Sequence, residues 1–541
     1  MALVSICIVA TLRASEGDHQ HHDHGPVDLG KLGNVNFKVS CGGAQKDFSR
    51  AVAMIHSFWY PEAEKAFQEI ARKNPDCAMA HWGVAMANYH PLWAPPTPDE
   101  LERGKKAADK AMSMKAGNAR ERGFIEAVHA FYAESDKVDH ATRAKRYEEA
   151  MAKVAAANPR DREAQIFYSL AMLGTASPSD KTYANQKRAA EILNRVLPQE
   201  REHPGVAHYI IHSYDYPQLA PLALEAARTY AKIAPGSPHA LHMPSHIFTR
   251  LGLWDESIAS NRDSAEKARN YVRQVNPRAT NAFDELHAID YLVYAHLQQA
   301  DDDEARRLID SLFAAEAPVL DATVFQAAYA YAAVPARYAL ERRNWSEAAR
   351  LQVKPATFPW KKFTYAESNI HFARAIGGAR SGDLNTAKAA LDRLTEIRDS
   401  LREQKNKYWA EQTEVQRLAA QAWLAHAIGF RDEAARLMRA SADLEDSTEK
   451  HPVTPGPVIP ARELLAEMLL ENGMAAEALA EVETVLKSSP GRFNAERLAA
   501  KAAEQSGDAA KAEAHYRALA QLAKANATRP ELEKARTFAS K

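Results

Sequence analysis

Long apolar runs are almost missing from this chain. Residues 2–11 (ALVSICIVAT) are the one apolar stretch near the N-terminus, too short to span a bilayer, and no other stretch is a candidate to cross one. An excess of either charge is missing too: 69 Lys and Arg stand against 70 Asp and Glu, for a net charge of −1. With no basic stripe, nucleic acid and anionic membrane surfaces are not expected partners. Catalytic signatures are also lacking. There is no Gly-rich phosphate loop, no Gly-x-Ser-x-Gly elbow and no Cys–His pairing, and the His-x-x-x-His at 208–212 carries Tyr209 where a zinc protease has its glutamate. Cysteine is rare, with three residues in the chain, and Cys7 falls within the apolar run.

What is present points to helices. Alanine, Leu, Glu, Arg and Lys dominate, and Gly and Pro occur as punctuation rather than in runs, which suits an all-α array. At 541 residues the chain is long for one globular core, so several domains or a solenoid are expected. Residues 1–15 fit a secretory signal, with small residues after the apolar core but no basic start. Export to a periplasm or the exterior is therefore expected, with a cytoplasmic chain as the alternative. In an exported chain Cys41 and Cys77 are a candidate disulfide; the alternative is two free thiols. Residues 16–45 read as a flexible arm whose His19, His21, His22 and His24 are either a weak metal collector or chance residues of a solvated linker. The helical region runs over 46–541.

The most informative stretch spans residues 203–298. HPGVAHYIIHSYDYP (203–217) and PHALHMPSHIFTRLGLW (238–254) each hold a His-x-x-x-His pair, His208/His212 and His242/His246, and the pairs lie 34 residues apart. ELHAIDYLVYAHLQ (285–298) follows. Elsewhere SFWYPEAEKAFQEIARKNPDCAMAHWGVAMA carries small Ala63, bulky Phe67 and closing Pro75 at the spacing of a helix–turn–helix unit. The same marks recur at LGLWDESI (251–258), RNWSEAARL (343–351), SGDLNTAKAAL (381–391), NGMAAEALAEV (472–482) and SGDAAKAEAHY (506–516). This pattern resembles the tetratricopeptide repeat over nearly the whole chain after residue 45, with a looser, irregular fit over about 97–200.

The resemblance implies an all-α, right-handed α-solenoid of antiparallel helix pairs, in which neighbours share a continuous core. It also implies a concave wall built from the first helix of each pair. Phased on Gly252, that wall takes His239, His242 and His246 from one repeat and His208 and His212 from the repeat before. The repeat after supplies His287, Asp290 and Tyr294. His56 and His90 occupy matching places in the first two repeats, with Trp82 and Met86 on the same side. Trp59, Trp82 and Trp93 otherwise read as repeat packing.

Histidines at i and i+4 stand one above the other on a helix, close enough to share an ion. Neutral imidazole suits zinc, copper or nickel, and a carboxylate can complete the set. The candidate metal ligands are His208, His212, His242, His246 and Asp290, and the candidate groove residues are His239, His287, Tyr294, His56, His90 and Trp82. Pro244, between two of the ligands, removes a backbone donor and predicts a late start or a kink in that helix. The Pro-rich HPVTPGPVIPARELL (451–465) is either a plain linker or a segment lying across the groove. Three functions remain open. One is an exported scaffold whose groove holds a divalent metal and a peptide or small ligand. Another is a metal-independent module that grips a protein partner, and the third is a metal-dependent hydrolase.

Overall fold

A computed structural model of the chain describes residues 29–92, 95–275, 283–314 and 325–539. The candidate signal, the four histidines of the arm and Trp93 lie outside those residues. Among the described residues all regular structure is helical.

Each helix hides one stripe against its neighbours. The helix Tyr60–Lys73 shows the pattern: Tyr60, Ala63, Phe67 and Ile70 are buried at helical spacing while its other faces carry Glu, Lys and Arg. Short turns reverse the chain between helices, and each helix packs on the next and often on the next but one, giving the expected solenoid of antiparallel pairs. Over 97–200 the helices vary from 13 to 18 residues yet keep the same order of packing.

Two large hydrophobic cores result, one from Leu29 to Phe248 and one from Leu286 to Ala535. A small cluster around Trp254, Ile258, Leu292 and Tyr294 joins them. The superhelix also curls back on itself. The helix Gln45–His56 lies against the helix Pro204–Tyr214, and the Trp254 indole donates to the Gly491 carbonyl at 2.8 Å. Among the described residues no helix is long and apolar enough to cross a membrane.

The arm expected to be flexible over 16–45 is described from Leu29 onward, and there it is pinned. Leu29, Leu32 and Phe37 are buried, the Asn34 N–H donates to Glu202 O at 2.9 Å, and Lys31 O accepts from the Gly236 N–H at 2.8 Å. Its polar composition concealed three apolar anchors, and two backbone bonds hold it across the first core. Cys41 and Cys77 are joined by a disulfide with Cα atoms 5.1 Å apart.

Candidate metal centre

Three successive first helices of their pairs carry six histidines to one place. The helix Pro204–Tyr214, started by proline in its first turn, presents His208 and His212 one turn apart. The next first helix is split by Pro244 into Pro238–His242 and Pro244–Arg250. Met243 at the break stays right-handed helical (φ −54°, ψ −34°), so the kink is slight and His242 and His246 remain stacked. The helix Phe283–Gln298 adds His287.

The rings form two triads, His208/His212/His239 and His242/His246/His287, and the ligand atoms within each lie within 4.8 Å of one another. His208 Nε2 is 3.0 Å from His212 Nε2 and 3.1 Å from His239 Nε2. His242 Nε2 is 3.0 Å from His246 Nε2. Three of the outer nitrogens are committed elsewhere. His208 Nδ1 donates to the His56 carbonyl at 2.6 Å, and His246 Nδ1 donates to Asp215 Oδ2 at 2.9 Å. His242 Nδ1 donates to Asn261 Oδ1 at 2.6 Å, the Asn261 amide N–H being used on Ser257 O. Each of these acceptors can only accept, so each of the three imidazoles keeps its proton on Nδ1 and turns a lone pair inward from Nε2.

Burial, helped by the neighbouring rings, pushes His212, His239, His242 and His287 well below the ordinary imidazole range and His208 down to about 3. Burial also lowers His246, against the pull of Asp215. The cluster is therefore neutral, the form that binds metal.

Asp215 anchors one side. Its carboxylate accepts from His246, from Arg250 Nε at 2.9 Å and from Lys450 Nζ at 3.1 Å. Against burial, Lys450 and Arg250 hold this carboxyl well below the usual range. Phe58 closes the other side, its ring 5.6 Å from His212 and 5.3 Å from His239. Gly205 lets the first helix approach, since a Cβ there would meet His56 Nδ1 at 2.6 Å.

The segment 447–460 lies across the hollow as a strap. Arg337 donates to Thr454 Oγ1, Gly456 O and Pro457 O at 2.6–2.8 Å. The Tyr291 hydroxyl donates to Thr454 O at 3.2 Å and stands 3.3 Å from His246 Nε2. Under the strap a chamber of about 30 Å³ is lined by His212, His239, His246 and His287. Phe58, Leu92, Met243, His451, Pro452 and Val453 complete its wall.

The other candidates lie elsewhere. Asp290 does not join the histidines: its Oδ1 accepts from Arg337 Nε at 3.0 Å, which makes it an anchor of the strap. The Tyr294 hydroxyl accepts from Arg492 at 2.7 Å. Trp82 sits among Phe37, Phe48, Phe67, Phe124 and Phe167 at ring distances of 5.3–6.3 Å, in the core rather than on a groove. His90 ends the helix Ala78–Tyr89 in a left-handed conformation, its Nε2 3.5 Å from Glu100.

His56 belongs to a third group with Glu163 and His203. There Glu163 accepts from both Nε2 atoms at 3.1 and 3.0 Å, and His56 Nδ1 accepts from the Tyr209 hydroxyl at 2.9 Å. Those protons are matched to acceptors, so the group is a hydrogen-bond network that positions His56 and, through its carbonyl, His208.

Asp215, Asn261 and Tyr291 were missed from the sequence. Only Tyr291 left a signal, because it follows His287 at the same i+4 spacing as the two histidine pairs.

No family model matches the chain, and no curated relative does. Solved structures with some likeness include yeast Tom70, with a TM-score of 0.32 and 12% identity over 92% of this chain and 95% of that one. A human IFIT1 dimer with m7Gppp-AAAA has a TM-score of 0.39 and 11% identity over 90% and 91%. The Cut9–Hcn1 hetero-tetramer of the APC/C has a TM-score of 0.31 and 10% identity over 92% and 90%. At these scores the likenesses carry no argument, and the fold rests on the helix pairing itself.

Proposed function

We propose that this chain is a helical-repeat scaffold that binds two transition-metal ions, one in each histidine triad, beneath its own strap. One observation carries the reading. His242 and His246 both carry their proton on Nδ1, where it is donated to an acceptor, yet their bare Nε2 atoms face each other at 3.0 Å. Two lone pairs at that distance repel unless a cation sits between them. A proton is opposed by burial, and a metal ion is what neutral imidazoles hold well.

We also propose export. The apolar run at residues 2–11 and the Cys41–Cys77 disulfide both suit an oxidising compartment. A second reading, peptide capture in the hollow, draws on the strap, an irregular Pro-rich segment held there through its carbonyls. A partner peptide displaces the strap in that case. Hydrolysis is the least favoured, because among the described residues no carboxylate lines the chamber.

The test is metal analysis of protein purified without an affinity tag. Two ions per chain are expected, one lost in His242→Ala/His246→Ala and the other in His208→Ala/His239→Ala. Background metal that is the same in all three proteins, after equilibration with zinc and with copper, overturns the reading.

A further inference from the structure

The two triads share more than proximity. Each sends two of its rings, His212 and His239 from one and His246 and His287 from the other, into the walls of the same chamber. All six ligands are neutral, and the nearby carboxylates bring no net negative charge. Asp215 is matched by both Arg250 and Lys450, and Asp290 by Arg337. The penalty for burying an ion grows with the square of its charge, so this hollow discriminates against divalent ions and favours monovalent ones. Among the metals that imidazole suits, copper has a stable monovalent state, and three nitrogens complete a coordination shell for it. The Met243 thioether, a soft group, lies in the same wall.

Chamber size selects the ligand. A water needs roughly 10–15 Å³ of cavity volume, so with the strap in place the space of about 30 Å³ is matched to a diatomic. Apart from the histidines its walls are mainly apolar, from Phe58, Leu92, Met243, Pro452 and Val453.

Resting on the two-ion reading above, we propose that the centre is a dicopper(I) site that binds dioxygen between the triads. In the binding step each copper(I) gives one electron to dioxygen. The O–O bond order falls from two to one, copper–oxygen bonds form on both sides, and a peroxide bridges two copper(II) ions. No proton enters and the total charge is unchanged, so release reverses the step and needs no other reagent.

The experiment loads the full-length apo-protein with copper(I) under argon and then admits dioxygen. The expected result is two coppers per chain, a strong near-ultraviolet charge-transfer band and no copper(II) EPR signal, with the band lost under carbon monoxide. Two bound coppers that give an ordinary EPR signal, or no spectral change, overturn the dioxygen proposal and leave the two-ion reading standing. Two zinc ions bound with no copper(I) uptake do the same. No metal of either kind overturns both.

Val453→Phe fills the chamber from the strap and is expected to keep both coppers and lose the band. Val453→Leu, a smaller intrusion, serves if the first variant does not fold, with a weakened band as the expected result. An undiminished band in a folded Val453→Phe protein places the oxygen elsewhere and overturns the proposal.

Discussion

Asp215→Asn separates the two roles of one carboxylate. In the native site Asp215 fixes the His246 tautomer and also balances two buried cations, Arg250 and Lys450, whose side chains are 11% and 6% exposed. The local charge of these three groups is +1. In Asp215→Asn it becomes +2, and leaving buried cations unmatched destabilises by about 3–5 kcal/mol. The asparagine also faces three donors with one oxygen, so the His246 Nδ1–H is no longer secured. Its ring is then free to carry the proton on Nε2, and loss of such a support lowers metal affinity by about 10- to 100-fold. The double variant Asp215→Asn/Lys450→Met returns the local charge to +1. Urea denaturation and titration with zinc and with copper(I) measure both quantities on each protein. The expected outcome is that the double variant regains most of the stability and none of the metal affinity. Recovery of affinity together with stability refutes the tautomer argument and leaves only a charge effect.

Reduction of Cys41–Cys77, or Cys41→Ser/Cys77→Ser, frees a loop closed over a separation of 36 residues. The expected loss is about 4 kcal/mol, seen as a lower denaturation midpoint with a slope no smaller than the native one, because the freed unfolded chain exposes more surface. Burial first, against Asp215, lowers the Lys450 ammonium to about 8 from an ordinary value of 10.5. The folded state therefore sheds this proton before the unfolded chain does, and stability rises between pH 8 and 10.5 by up to about 3 kcal/mol. That rise is expected to flatten in Lys450→Met when denaturation is followed across the window. Arg337→Met unpairs Asp290 and releases three strap acceptors. Limited proteolysis between 447 and 460 is expected to accelerate at least tenfold, since unpairing a buried ion destabilises by a few kcal/mol. An unchanged cleavage rate means that the strap is held by other contacts.

The spacing of 34 residues between His208 and His242, and between His212 and His246, was enough to place the pairs on equivalent faces of stacked hairpins. It also put His239 and His287 on the same wall, although it did not show that each completes a different triad. What spacing within repeats cannot reveal is partnership across the superhelix. Asp290 occupied the right place in its repeat to be a ligand, but Arg337 reaches it from a helix 47 residues on. Asp215 gains Lys450 from 235 residues away. The strap was ambiguous for a related reason: its prolines say only that no helix runs through it, and contacts from Arg337, Tyr291 and Asp215, all distant in sequence, decide where it lies. Leu29, Leu32 and Phe37 were too widely spaced in polar sequence to read as anchors, yet each is buried.

If both triads hold ions as proposed, their positions within the fold give those ions unequal structural roles. His208, His212 and His239 lie on helices that belong to the first core, which runs to Phe248. An ion there would stiffen one body. His242 and His246 also lie on the first core's helices, but His287 stands on Phe283–Gln298, whose Leu286, Ile289 and Val293 belong to the second. An ion in that triad would bond the halves together, at a junction where few apolar side chains meet. The strap crosses the same junction, carrying Lys450 from the second half to Asp215 of the first. A metal ion in the second triad would therefore hold the two cores in the arrangement that the Lys450–Asp215 pair already favours.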